Sequence, residues 1–153
     1  SHRPKSSYRY WQMLDEKKCA AGICRIVGSG DGLLAHNDRL DRDSPDSQQA
    51  LSLLGQLAAC VYLQVPAQGG GVRLWNKEPG DEEEYTRLKD NNYGIKLEKL
   101  GKPQHVIEPS QGELLLFNAR KYHGVAPWQE GLRVNVSMFI GYRGSAQALT
   151  YWS

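Results

Sequence analysis

The chain has 153 residues, 40% hydrophobic and 24% charged, which suffices for a single domain over 1–153 with a real core. A net charge of +2 is too small to argue for nucleic acid or a membrane surface as partner. No apolar run approaches the roughly 20 residues that span a bilayer.

In chain order, residues 1–7 are polar and read as loose, and Tyr8–Met13 is aromatic-rich, a strand or a helix end. Cys19–Val27 reads as an apolar strand, broken by the flexible turn Gly28–Gly32, and Leu33–Asp38 as the next strand. Arg39–Asp46 is a charged run, either the rim of a site or a solvated loop. Leu57–Val65 is a strand rich in β-formers, and Gly69, Gly70 and Gly71 turn it into Val72–Trp75, a hairpin signal. Residues 77–105 read as an insertion, helical in the middle of Lys77–Asn92, which either covers a site or is a surface excursion. His105–Pro109 is a short strand that turns at Ser110–Gly112 into the apolar strand Glu113–Phe117, whose continuation ends in His123. Pro127–Gly131 is a second hairpin turn. Leu132–Tyr142 then alternates, with Arg133, Asn135 and Ser137 on one face and Val134, Val136, Met138 and Ile140 on the other.

Short strands with turn signals between them and few helical stretches read as a mainly β fold, an antiparallel double-sheet barrel of the cupin-like jelly-roll kind. Such barrels gather inward side chains at their mouth. Cys19, Cys24 and Cys60 are too irregularly spaced for a disulfide scaffold or a cysteine-held metal and suit a reducing, cytoplasmic setting. Trp75 and Trp128 read as packing residues, and His105 as an exposed one.

Residues with chemistry to offer sit in a suggestive order. On a strand, His36 and Asp38 point to one face and present an imidazole and a carboxylate to a divalent metal. His123 is the best third ligand. Two histidines and one carboxylate on one face of an iron leave the opposite positions open, the facial triad of non-haem Fe(II) oxygenases. Arg133 follows on the next strand. It faces either solvent or a bound anion, because an unpaired charge in a dry core costs several kcal/mol.

The sequence His36-Asn37-Asp38, Tyr62-Leu63-Gln64, Gly70–Trp75, Phe117–His123 and Arg133–Ser137 resembles the Fe(II)/2-oxoglutarate-dependent oxygenases over roughly residues 33–142. The likeness is nearest to the prolyl-hydroxylase-like branch and its bacterial enzymes for amino acids and small metabolites. It implies a double-stranded β-helix holding Fe(II) through His36, Asp38 and His123. It further implies 2-oxoglutarate and O2 as cosubstrates, with Arg133 on the far carboxylate and Tyr62 donating to it; Asn135 lines the pocket beside them. The implied reaction is hydroxylation of an aliphatic C–H of a small, amino-acid-like molecule with conversion of 2-oxoglutarate to succinate. Asp38 fills the position where the related halogenases carry a small residue, which favours hydroxylation over chlorination. A peptidyl, prolyl-type hydroxylase is the alternative within enzymes. A non-redox, cupin-like metal-binding protein is the alternative outside them, and it has no use for Arg133.

Overall fold

The computed structural model of the protein describes residues 13–14, 17–20, 22–30, 32–89 and 94–153. Its strands are β1 (Met13–Leu14), β2 (Lys17–Lys18), β3 (Ile23–Val27), β4 (Leu33–His36), β5 (Gly55–Gln64), β6 (Val72–Leu74), β7 (His105–Ile107), β8 (Leu114–Asn118), β9 (His123–Val125), β10 (Arg133–Tyr142) and β11 (Thr150–Trp152). Helices α1 (Leu40–Asp43), α2 (Gln48–Leu51) and α3 (Glu82–Leu88) and the 3-10 turn Leu97–Leu100 are all short. Among the described residues no helix is long and apolar enough to cross a membrane. The expectations for 1–7 and for Tyr8–Met13 lie outside the described residues, except at Met13.

β1 and β2 pair with each other antiparallel. The other strands make two antiparallel sheets: one in the order β11-β10-β5-β8 with β3 added against β10, and one in the order β4-β9-β6-β7. This is the expected jelly roll. Period-two alternation positions its contents. Along β10, Arg133, Asn135 and Ser137 are buried, while Val134, Val136 and Met138 are only half-buried. The polar stripe therefore lines the interior and the aliphatic stripe forms the outer face. On that outer face the neighbouring strands also show apolar residues, including Ile26, Leu63, Leu114 and Leu116.

Two expected hairpins are crossovers instead. The glycines at 69–71 carry the chain from β5 in one sheet to β6 in the other, and Pro127–Gly131 carries it from β9 to β10. A tight turn reverses the chain but does not say which sheet the next strand joins. His123 does not end the apolar strand as read from the sequence; β8 stops at Asn118 and His123 opens a strand of its own.

The charged run 39–46 contains α1, and the strand expected from Cys19 begins at Ile23. The expected insertion is not a simple surface excursion. Tyr85 from α3 and Ile95 join Ala35, Trp75 and Tyr122 in one buried cluster. Ala35 precedes His36 and Tyr122 precedes His123, so this cluster packs directly behind both histidines. Gly32 precedes β4 at φ +79, and a Cβ there would lie 2.3 Å from the Val125 carbonyl oxygen. Only glycine allows that conformation and that approach without strain, and it brings β4 against β9.

Candidate metal centre

β4 ends at His36 and pairs it directly with His123 at the start of β9. Asp38 lies two residues beyond the strand end, so the loop rather than strand alternation aims its carboxylate. The ligand-capable atoms of His36, Asp38 and His123 all lie within 4.8 Å of one another. Asp38 Oδ2 is 3.2 Å from His123 Nε2 and 3.9 Å from His36 Nε2.

Both imidazoles are anchored from behind. His36 Nδ1 lies 2.9 Å from the Leu34 carbonyl oxygen, and His123 Nδ1 lies 3.0 Å from that of Lys121. A carbonyl only accepts, so each Nδ1–H donates and each Nε2 faces the shared space with Asp38. That is the outer-sphere arrangement of metal-binding histidines. Burial lowers the His36 pKa from its usual value, with His123 adding to the effect and Asp38 opposing it. Burial would raise the Asp38 pKa, but the hydrogen bond from His123 and the nearby cationic groups outweigh it and hold the carboxyl below its usual range. A divalent ion takes the place of the proton between His123 Nε2 and Asp38, which leaves neutral imidazoles beside an ionised carboxylate. The donor set therefore fits a metal.

The residue between His36 and Asp38 is clamped. Asn37 is 1% exposed, and Arg42 from α1 donates to both its side-chain and its main-chain oxygen, each at 3.0 Å. Asn37 in turn donates to the Arg120 carbonyl at 3.2 Å, and the Asp38 amide donates to Ala119 at 2.8 Å. The loop carrying Asp38 is thereby tied to the loop that delivers His123. Arg42 also lies over the Tyr85 ring, 4.9 Å from its centre. Arg42→Ala removes the fork while leaving all three candidate ligands in place. It is expected to weaken Mn(II) binding by about 10- to 100-fold, the usual effect of losing an outer-sphere support, as read by calorimetric titration.

A cavity of about 330 Å³ opens beside the triad. Arg133 lies in its wall and is 5% exposed. Its Nη1 donates to Asn135 Oδ1 at 3.1 Å and its Nη2 to the Tyr62 hydroxyl at 3.3 Å. Its Nε is buried with no partner, and among the described residues no carboxylate pairs with it. Burial pushes the Tyr62 phenol up to about 12 against the pull of Arg133, so it stays protonated and can donate. A buried guanidinium with an unpartnered N–H and only neutral neighbours fits an anion.

The structure therefore brings together the residues singled out in the sequence: His36, Asp38 and His123 at one wall of the cavity, Arg133 and Asn135 at another, and Tyr62 buried against Arg133. Arg25 on β3 also lines the cavity and was missed, as was the clamp Arg42. The signal for Arg25 is the one that revealed Arg133, a lone cation inside an apolar strand. Arg42 is hidden in a charged run, where composition says nothing about contacts.

Residues 21–141 match the model of the 2OG-Fe(II) oxygenase superfamily. The chain is 30% identical over 136 residues to an L-gamma-glutamyl-L-propargylglycine hydroxylase of Streptantibioticus cattleyicolor, covering 86% of this chain and 48% of that protein. In fold it is similar to an N-substituted L-amino acid dioxygenase of Burkholderia ambifaria, with a TM-score of 0.62 at 14% identity, covering 87% of this chain and 52% of that one. The same enzyme solved with alpha-KG aligns with a TM-score of 0.61. The chain thus spans about half the length of the relatives it matches. The family match covers most of the described barrel, including every residue of the cluster and of the cation site, and the chain belongs to the 2OG-Fe(II) oxygenase superfamily.

Proposed function

We propose that the chain is the catalytic barrel of an Fe(II)- and 2-oxoglutarate-dependent dioxygenase that hydroxylates an aliphatic C–H of an amino-acid-like small molecule. The observation that carries this reading is Arg133, a buried guanidinium with an unpartnered Nε in the wall of the cavity that holds the three candidate ligands. A barrel that only stored a metal would gain nothing from it. His36, Asp38 and His123 hold Fe(II) in this reading, and Arg133, supported by Tyr62 and Asn135, holds the far carboxylate of 2-oxoglutarate.

Fe(II) held by His36, Asp38 and His123 would supply the oxidising power, drawing on O2 and the conversion of 2-oxoglutarate to succinate and CO2. The protein contributes geometry and dryness. The carbonyls of Leu34 and Lys121 fix both imidazole rings. Arg133 and Tyr62 orient the cosubstrate by its distal end, and the cluster around Tyr122 shields the histidines from behind. The names of the relatives support an amino-acid-like substrate.

Anaerobic addition of Fe(II) followed by titration with 2-oxoglutarate tests the reading. A weak visible charge-transfer band is expected, diminished in Arg133→Ala. Aerobic succinate formation should then rise with members of an amino-acid panel. Bound metal with no band would leave a non-redox metal-binding barrel as the better account.

A further inference from the structure

The proposed cofactor and cosubstrate leave one cation in the cavity wall without a task. Arg25 sits on β3 directly opposite Asn135 of β10. Facing residues of paired strands share a sheet face, so Arg25 points to the same side as the stripe of Arg133, Asn135 and Ser137. It lines the same cavity as the triad, yet unlike Arg133 it is solvent-exposed, which puts it at the opening. Its Nη1 donates to the buried Ser137 hydroxyl, which fixes the guanidinium and leaves its other N–H groups to donate elsewhere. Among the described residues no carboxylate pairs with it.

Charge balance makes the same point. Asp38 contributes the only side-chain carboxylate to the described cavity wall. Two guanidiniums and a divalent ion against that one carboxylate leave an excess of positive charge. The dianionic cosubstrate lowers the excess without cancelling it. One further anionic group at the opening would lower it again.

We propose that Arg25, held by Ser137, binds a carboxylate of the organic substrate at the mouth of the cavity and so selects acids over their neutral analogues. The proposal rests on the oxygenase reading above and deepens it. Arg133 takes the cosubstrate at depth, and Arg25 takes the substrate at the entrance. A planar guanidinium suits this task because it grips a carboxylate through two parallel hydrogen bonds.

The experiment uses the full chain loaded with Mn(II), a redox-silent stand-in, and 2-oxoglutarate. The probes are the common L-amino acids and their N-acetyl and γ-glutamyl derivatives, each paired with its carboxamide. Binding is read by calorimetry in wild type, Arg25→Gln and Arg25→Lys. At least one acid should bind wild type about 10- to 100-fold more tightly than its amide, the size of a charge-assisted hydrogen-bond pair. Arg25→Gln should erase that preference and leave 2-oxoglutarate binding unchanged, and Arg25→Lys should restore part of it. Mere damage to β3 would weaken acid and amide alike, and so cannot imitate this pattern. Equal binding of acids and amides across the wild-type panel overturns the proposal, as does a preference that survives Arg25→Gln. If Arg25→Gln weakens 2-oxoglutarate instead, Arg25 belongs to the cosubstrate and the assignment is wrong. Failure of wild type to bind 2-oxoglutarate at all is the separate result that removes the oxygenase reading, and this proposal falls with it.

Discussion

Asp38→Ala is expected to abolish succinate formation and to weaken Mn(II) or Fe(II) binding by at least about 100-fold, since losing a ligand costs more than losing an outer-sphere support. Two imidazoles would remain, with neither a third donor nor the negative charge that offsets a divalent ion. The fold should survive. The Asp38 side chain is 31% exposed, and the loop is held by the backbone bond to Ala119 and by the Asn37 clamp, neither of which needs the carboxylate. The metal-free variant should therefore melt close to wild type, while the stabilisation that metal gives wild type should disappear. Asp38→Glu separates charge from reach. It keeps the negative charge on a longer arm, so partial metal binding without turnover is expected. Undiminished metal affinity in Asp38→Ala, measured by titration of the stripped protein, would remove Asp38 from the proposed ligand set.

The candidate triad is legible in the sequence because its residue types are rare together, although strand alternation accounts for only part of its geometry. His36 and Asp38 were expected on one face of one strand, yet the strand ends at His36 and the loop aims Asp38. What brings the pair into position is Arg42 gripping Asn37, and nothing in a charged run announces which arginine will do that. His123 reads as a candidate ligand at the end of the apolar strand, but it opens β9, because Leu114–Asn118 is so strongly apolar that its pattern suggests continuation. The two misread hairpins share one cause. Gly69–Gly71 and Pro127–Gly131 carry good turn chemistry, and turn chemistry is local, whereas the choice of sheet is made by distant partners such as the pairing of β6 with β9. The role of Tyr85 and Ile95 was hidden for a related reason. Tyr85 with Leu88, and Ile95 with Leu97 and Leu100, are scattered through a polar stretch, and only the position of Trp75 and Tyr122 in space gives them something to bury against. For Arg133 the alternation of its strand leaves solvent or a bound anion as the facing partner, and only its position after His123 favours the anion; its burial is legible in the structure alone.

That same arginine gives the second large effect, and it comes with opposite signs. A buried guanidinium without an anionic partner has lost its hydration, and two neutral acceptors restore only part of it. Replacing it by an apolar side chain of similar length removes that penalty. Arg133→Met is therefore expected to stabilise the ligand-free protein by about 1 kcal/mol, the low end for replacing a buried ionic group by an apolar one, since Asn135 and Tyr62 lose a donor with it. For a chain of this size each kcal/mol corresponds to about 2–4 °C in Tm. The order should invert when metal and 2-oxoglutarate are added. Wild type binds the cosubstrate and gains about 2.7 kcal/mol at a hundredfold excess over Kd. The variant has lost charge-assisted hydrogen bonds in a buried site, a change that costs 2–5 kcal/mol and so raises the 2-oxoglutarate Kd by about 30-fold or more. Thermal melts of both proteins, with Mn(II) throughout and with and without 2-oxoglutarate, should thus cross. Such a crossing has no structural explanation, because a residue that only held the fold together would lower the melting temperature in both conditions. If Arg133→Met melts lower without ligand and titrates with 2-oxoglutarate like wild type, Arg133 is a packing residue and the cosubstrate lies elsewhere. The retention of a destabilising group in the wall of a cavity that also holds three potential metal ligands is what a site prepared for an anion requires. In that reading the desolvation cost is present before the ligand arrives and is relieved by it, so binding and stability become two readings of the same unpartnered N–H.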